Sequence, residues 1–490
     1  MSILTELRRM NELAGTLNEG KVERAAVDFL SQQIKQSKFK GKVFIAGGYV
    51  RDEFLGLDPK DIDLVVEMPD GGIKFAEWLT KKLKIYKSGS NPVVFKKFGT
   101  AKFNLLGITH AGQDLSGLDI EVVMTRTEKY DSKSRKPEVA TGTLKDDVER
   151  RDFTVNSLLK DLTTGEVLDL TGMGKNDIKK GVVRTPLDPD IIFTDDPLRM
   201  LRAIRFAVKY NWDLPFFMIR SMKKNSIKLK KISAERIRDE LNKMLVTKNP
   251  DKAIRLLQIT NLNKHVMPEL DLLKGLGQNK HHDMDVLGHS LKVLKGVPAK
   301  LTTRLAALMH DVGKSQTKEV IDGEVHFYKH EEVSGEMARI IMTRLKYPNN
   351  IIEPVVKAVD QHMRLKSAGD DANITDKALR KLSRQLGDHL EDTLDLMHSD
   401  NLAHATTSVM PNQIPNIRKR LKGLKALTKE NPKLPVNGGD VMKHVGLNKG
   451  GPIVGKLLAL VQDAWDDNPK LSRDDALNLV ALGYKELTKG

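Results

Sequence analysis

Two aspartates one residue apart, Asp61 and Asp63, follow a glycine pair, Gly47 and Gly48, in the stretch GGYVRDEFLGLDPKDIDLVV, 47–66. On a strand, residues two apart share a face, so both carboxylates point one way while Ile62 turns to the core. Such a pair repels unless a cation sits between them, and its physical use is to hold a hard divalent ion whose shell is completed by phosphate oxygens. The alternative is an ordinary polar strand face, though a solvated face would more readily alternate signs. A further β-rich run, LSGLDIEVVMTRT (115–127), carries Asp119 and Glu121 on one face. One of them is expected to complete a carboxylate trio. Glu121 is favoured because it lies nearer the strand centre, with the register left open. Three carboxylates on adjacent strands can hold two divalent ions, one activating a hydroxyl and the other holding a triphosphate and its leaving group.

Other groups suited to a nucleotide follow. ERRDFTVNSLL (149–159) carries Arg151, Asp152 and Asn156; the arginines suit phosphate and Asn156 suits a ribose hydroxyl or a backbone group. Its apolar second half predicts the start of a helix. DDPLRMLRAIRFAVKY (195–210) reads as a helix capped by Asp195 or Asp196 with Pro197 in its first turn. Asp196 and Arg199, three apart, can project from one face, and a carboxylate with a guanidinium can read the Watson–Crick edge of a base; a surface ion pair is the plainer account. Arg202 and Arg205 continue the arginine series.

A second constellation begins at 281. In HHDMDVLGHSLKVLKG, His281, Asp285 and His289 fall at i, i+4 and i+8, which predicts one helical face. TRLAALMHDVGKS puts His310 and Asp311 at the end of an apolar helix, and His330, His362 and Asp400 follow. Imidazole and carboxylate together suit first-row metals. A structural metal site joining helices is the rival to a catalytic one.

The elements that must position these groups are short strands at KVFIA (42–46) and DIDLVV (61–66), with a helix from Val50 to Leu55 between them. The polar segment 128–149 reads as a loop, and LDLTGMGKNDIKKGVVRT (168–185) as a turn-rich connector. In the tail, Gly438 and Gly439 predict a turn, and Gly451–Pro452 the start of an apolar helix whose free N–H groups suit a phosphate or simply a packing turn. A chain of 490 residues is too long for one core. The absence of cysteine excludes disulfides and thiolate sites. No apolar run reaches the length of a membrane span, and no secretory leader is legible, so a soluble, cytoplasmic protein without membrane association is expected. The net charge of +16 favours a polyanionic partner. The segment 215–250 has ten basic and three acidic residues, and NIRKRLKGLKALTK (416–429) is a second basic run.

The order GGYVRDEFLG, DID, EVVMTRTEKY, ERRDFTVNSLL, LDLTGMGKNDI, DDPLRMLRAIRFA and ERIRDEL resembles the bacterial-type (class II) tRNA nucleotidyltransferases, the CCA-adding enzymes, over about 40–245. One departure is Asp195–Asp196 where the family often has Glu-Asp. The pattern His289, His310–Asp311, His330, His362, Asp400 resembles HD-type metal phosphohydrolases. The resemblance implies an α+β fold: a small mixed-sheet nucleotidyltransferase head followed by a largely helical body with an HD domain. It implies Asp61 and Asp63 as metal-binding carboxylates with Mg²⁺, and Gly47, Gly48, Arg51, Arg151, Asp152, Asn156, Arg202 and Arg205 as nucleotide-handling residues. Asp196 and Arg199 would template CTP and ATP, and the segment 128–149 would serve the switch from C to A. For the second site it implies His289, His310, Asp311 and Asp400 as ligands of Mg²⁺ or a transition metal. His330 and His362 would join them around a second ion, with phosphatase and 2′,3′-cyclic phosphodiesterase activity. The expected partners are tRNA, CTP and ATP, not DNA. The expected domains are a helical extension (1–35), the head (36–150), a helical recognition region (151–275), the HD domain (276–408) and a tRNA-binding tail (409–490). The competing functions are a poly(A) polymerase-like adenylyltransferase and a catalytically inactive RNA-binding protein.

Overall fold

A computed structural model describes residues 20–84, 91–129, 138–278, 283–428 and 434–488. They form two compact units, 1–266 and 267–490. The fold is a mixed β-sheet head followed by a largely helical body. Among the described residues no helix is long and apolar enough to cross a membrane.

The first unit is built on seven strands: β1 Val43–Ala46, β2 Ile62–Val66, β3 Val93–Phe95, β4 Thr100–Asn104, β5 Asp119–Met124, β6 Leu159–Asp161 and β7 Val167–Leu168. Their order is β7-β6-β1-β2-β5-β4-β3. β1 and β2 pair antiparallel, and β2 and β5 pair parallel. A parallel neighbour needs a crossover, and the helix Gly71–Lys82 begins it. That helix lies so close to the sheet that a Cβ on Gly72 would come within 2.4 Å of the Val122 carbonyl oxygen. Ile62 is buried and Asp63 open, as the alternation requires; β5 alternates likewise, with Ile120 and Val122 buried.

Several local expectations are corrected. The second half of ERRDFTVNSLL forms a 3₁₀ turn, Thr154–Asn156, and then β6 rather than a helix; Leu159 pairs with Ala46, and this long-range ladder overrides the local apolar run. The segment 128–149 is not all loop. It holds a strand, Glu138–Thr141, and a helix, Leu144–Glu149, started by a reciprocal capping box between Thr143 and Asp146; residues 130–137 lie outside the described residues. The connector contains a helix, Gly174–Lys180. The arginine-bearing helix runs Leu198–Lys209.

Among the described residues the second unit is helical apart from one hairpin, β8 Lys318–Ile321 and β9 Glu324–Phe327. Asp285 does not share a helical face with His289. It caps the helix Val286–Gly296, its side chain accepting from the Gly288 N–H at 2.7 Å; His281 lies outside the described residues. Gly438 and Gly439 open a helix, Gly438–Val445, capped by Asn437, rather than forming a turn. The helix after Gly451 starts with Pro452 in its first turn, as expected.

Candidate active sites

The first site grows from the end of β1. Gly47 adopts φ 71°, ψ −126°, a conformation that an L side chain resists. The nearest atoms to an added Cβ, Arg151 Nη1 at 3.5 Å and Asp63 Oδ2 at 3.9 Å, leave room, so backbone conformation rather than crowding selects glycine. The turn starts the helix Gly48–Phe54 and sets Arg51 behind the strand ends. Gly47, Gly48, Arg51, Asp61, Asp63, Arg151, Asp152, Asn156, Arg202 and Arg205 line one cavity of about 610 Å³. Glu121, Asp196 and Arg199 do not line it.

Glu121 belongs to the carboxylate group through register, because it stands opposite Asp63 across the parallel pair. Although the Asp63 side chain reaches solvent through the cavity, the protein around its carboxyl desolvates it, and that effect and then Glu121 raise it above its ordinary value, with Asp61 adding to both and Arg151 opposing them. Asp119 is drawn aside by Lys102, 2.9 Å from its carboxylate.

Behind the carboxylates runs a polar chain. Arg51 donates to Asp52 Oδ1 at 2.8 Å and to Asn156 Oδ1 at 2.6 Å. Asn156 donates to Asp152 Oδ1 at 2.9 Å, and Arg202 Nε donates to Asp152 Oδ2 at 2.9 Å. The Arg51 guanidinium also lies 5.1 Å from the ring centres of Phe206 and Tyr210. Burial alone would raise Asp152, but Arg202, Asn156 and Arg199 bring it below its ordinary value. Arg151 is held by Asp147 at 2.9 Å.

Asp196 and Arg199 do not pair with each other as an i,i+3 ion pair would. Asp196 accepts from the Leu198 N–H at 3.1 Å and from Arg236 at 3.1 Å. Arg199 is 9 % exposed, and its Nη1 has no hydrogen-bond partner. Arg205 is engaged by Glu240 at 2.7 Å.

The second site gathers the histidines. Nδ1 of His310, His330 and His362 donates to the carbonyl three residues back, on Ala307 (2.9 Å), Phe327 (2.8 Å) and Val359 (2.6 Å). That turns Nε2 of each ring inward. These Nε2 atoms are buried without a hydrogen-bond partner and face Asp311. Oδ2 of Asp311 lies 3.3 Å from His310 and 3.8 Å from His289; Oδ1 lies 3.3 Å from His330 and 3.8 Å from His362. One carboxylate thus divides two ligand trios, His289–His310–Asp311 and Asp311–His330–His362, each with donor atoms within 4.8 Å. Asp400 Oδ1 lies 2.9 Å from His289 Nε2. Lys314 is 2.8 Å from Asp311 and Lys366 is 2.7 Å from Asp400. Burial opposes ionisation of both carboxyls, yet His310 and Lys314 hold Asp311, and Lys366 and His289 hold Asp400, well below the ordinary value. Burial, then His310 and His330, push His362 down to about 3.

Sequence reading missed Asp52, Lys60, Lys209 and Tyr210 at the first cavity and Lys314, Lys366 and His404 at the second. Lys314 at i+3 from Asp311 and His404 at i+4 from Asp400 were visible spacings; the rest depends on tertiary folding.

Residues 43–184 match the family described as the poly A polymerase head domain, 218–273 the probable RNA and SrmB-binding site of polymerase A, and 283–402 the HD domain. The fold and sites therefore define a nucleotidyltransferase head joined to an HD domain. The A-adding tRNA nucleotidyltransferase of Deinococcus radiodurans is 31 % identical over 338 residues, covering 66 % of this chain and 75 % of that protein. The mitochondrial CCA tRNA nucleotidyltransferase of Saccharomyces cerevisiae is 34 % identical over 262 residues, 50 % of this chain and 46 % of that one; the chain thus spans about half the length of such yeast relatives. The crystal structure of the Bacillus stearothermophilus CCA-adding enzyme in complex with CTP shares the fold, with a TM-score of 0.64 and 23 % identity over 96 % of this chain and 99 % of that one. The chain belongs to the tRNA nucleotidyltransferase family.

Proposed function

We propose that this protein adds or repairs the 3′-terminal CCA of tRNA from CTP and ATP at Asp61, Asp63 and Glu121. We further propose that the histidine–aspartate cluster is a separate phosphohydrolase centre. The observation that carries the first reading is the register pairing of Asp63 with Glu121 beside a cavity lined by Arg51, Arg151, Asp152, Asn156 and Arg202. The names of the relatives, and CTP in the neighbouring structure, support the substrates.

Crowded carboxylates that raise Asp63 fit a divalent cation, and all-oxygen donors suit Mg²⁺. When bound, such ions would neutralise triphosphate charge and favour ionisation of the attacking 3′-hydroxyl. The chain's own groups do the rest. Arg151 and the backbone of the Gly47–Gly48 turn face the phosphates. The Arg51–Asn156–Asp152–Arg202 chain fixes the cavity wall. Asp196 and Arg199 offer acceptor and donor to a base edge. The basic stretch 215–250 overlaps the matched RNA-binding segment, and the 36-residue span supplies a salt-sensitive hold on a phosphate backbone. The five-segment division and a cytoplasmic location are part of this proposal.

At the second cluster, buried unpartnered imidazole nitrogens facing carboxylates fit first-row transition metals, with His330 and His362 serving a second ion. Bound metal would supply a water nucleophile and Lewis-acid stabilisation for phosphoester hydrolysis. Lys314 and Lys366 keep Asp311 and Asp400 ionised for that role. Removal of a terminal phosphate or cyclic phosphate would leave an RNA end that the transferase site can extend.

The test is to incubate tRNA lacking its terminus with CTP and ATP, separately and together. Two C residues with CTP alone and a single further A with both support CCA addition. A single A added only to tRNA already ending in CC indicates an A-adding enzyme. A long A tract indicates the poly(A) polymerase-like reading, and no incorporation the inactive RNA-binding one. Release of phosphate or opening of a 2′,3′-cyclic phosphate under a screen of divalent ions tests the second centre.

A further inference from the structure

We infer that His326 and Tyr328 form a base-stacking platform for the phosphohydrolase cavity, so that this centre takes a terminal nucleotide rather than any phosphate ester. The inference rests on the phosphohydrolase reading above and names the substrate class of that site. The hairpin β8–β9 is spliced between the ligand pair His310–Asp311 and the ligand His330. His326 lies in β9 and Tyr328 one residue past its end, two apart in sequence. Their rings are parallel within 3°, with centres 5.3 Å apart, and Tyr328 Oη lies 3.4 Å from His326 Nδ1. Both residues line the cavity of about 550 Å³ that contains Asp311, His330, His362 and Asp400.

Tyr328 is 58 % exposed. A tyrosine that served packing alone would bury its ring, whereas this one leaves an aromatic face open at a cavity mouth. The cavity lining combines two chemistries: the ligand carboxylates with Lys314 and Lys366, and the apolar Phe327, Met363 and Met410 with the ring pair. A nucleotide combines the same two, an anionic phosphate and an apolar π-surface, and the volume falls in the range of small-ligand sites. Stacking on aromatic rings tolerates any base, because every base presents a π-face.

The experiment compares adenosine 2′,3′-cyclic phosphate with base-free glycerol 1,2-cyclic phosphate, using wild type, Tyr328→Ala, Tyr328→Phe and His326→Ala in the full chain. The platform requires that Tyr328→Ala lower the kcat/KM ratio of nucleotide to base-free ester roughly ten-fold, mostly through KM, and that Tyr328→Phe restore it. An equal loss on both esters, or no loss on either, overturns the platform and leaves the hydrolase reading standing. Wild-type inactivity towards both esters under every divalent ion tried sinks the hydrolase reading and the platform with it. A second readout needs no turnover: with CTP present to fill the other cavity, 2-aminopurine riboside 2′,3′-cyclic phosphate should be quenched by wild type and not by Tyr328→Ala. Equal quenching by both proteins counts against the platform.

Discussion

Asp63 and Glu121 face each other across the parallel β2–β5 pair, while Asp119, two residues earlier, is held by Lys102 at 2.9 Å. The relationship separates the two candidates for the third carboxylate. After burial, Glu121 contributes most to raising the Asp63 carboxyl, ahead of Asp61; Asp119 is paired with a lysine at the exposed strand start. Glu121→Ala should lower CTP and ATP incorporation by roughly 10²-fold or more, the scale of removing one preorganised charge-stabilising group. Asp119→Ala should stay within a few-fold of wild type, since an exposed ion pair contributes about 1 kcal/mol or less. Primer extension on tRNA ending before its CCA compares the two, and the reverse order of effects would move the assignment to Asp119.

Asp152 links Asn156 to Arg202 and titrates below its ordinary value of 3.8. A depressed folded value means stability that is fully present above the unfolded value and lost as pH falls through the folded one. Asp152→Asn should therefore cost about 1–3 kcal/mol near neutral pH, discounted because Arg202 remains about a third exposed. The gap between variant and wild type should narrow as the pH is lowered below the ordinary value of 3.8. Urea unfolding at neutral and acid pH measures this; a gap that widens in acid would contradict the sign.

The alternation around Ile62 and the glycine turn before it made the carboxylate strand legible, because period-two patterning and positive-φ glycine are local signals. The cap at Asp285 was misread because a helix start and a helical face place a carboxylate at the same spacing from His289. The β6 strand was misread because Leu158 and Leu159 are apolar in either conformation, and only the β1 ladder decides between them. Asp311 was visible as a ligand, but its division between two histidine pairs was not, since that depends on His330 and His362 arriving on other helices. The paired rings of His326 and Tyr328 lay outside any ligand pattern, and nothing in their spacing marks the cavity they line.

The division of Asp311 predicts metal stoichiometry. Wild type should bind two ions at this cluster, and the double variant His330→Ala/His362→Ala one, because the trio His289–His310–Asp311 remains whole. Isothermal titration with Mn²⁺ or Ni²⁺, checked by elemental analysis after desalting, reads the count. An unchanged count would remove those two histidines from the ligand set.

The two chemistries should also separate. His310 and Asp311 lie in the second unit and the transferase carboxylates in the first. His310→Ala/Asp311→Ala should abolish opening of a 2′,3′-cyclic phosphate while CTP incorporation stays within about three-fold of wild type, as additivity between sites that share no ligand implies. If the cluster is instead a structural metal site, the double variant would lose thermal stability and both activities together. Circular dichroism on the same preparation distinguishes a lost fold from a lost centre.

Arg199 tests the templating idea. Its guanidinium is buried, its Nη1 lacks a partner, and its charge helps to depress Asp152. A buried unsatisfied donor costs about 1–3 kcal/mol, a cost that a surface ion pair would not leave in place and that a base edge would relieve. On the templating proposal Asp196, which accepts from Arg236 and the Leu198 N–H, would supply the acceptor. Arg199→Ala should therefore degrade discrimination among CTP, ATP, GTP and UTP while tRNA affinity, read by filter binding, changes by less than about two-fold, because the proposed hold on RNA phosphates is assigned to the basic stretch 215–250 and not to Arg199. Arg199→Lys should not restore fidelity, since an ammonium cannot donate two parallel hydrogen bonds to a base edge. If Arg199→Ala keeps full C and A fidelity, the helix Leu198–Lys209 is a structural element, and base selection must be sought among Arg202, Arg205 and Lys209 at the cavity wall.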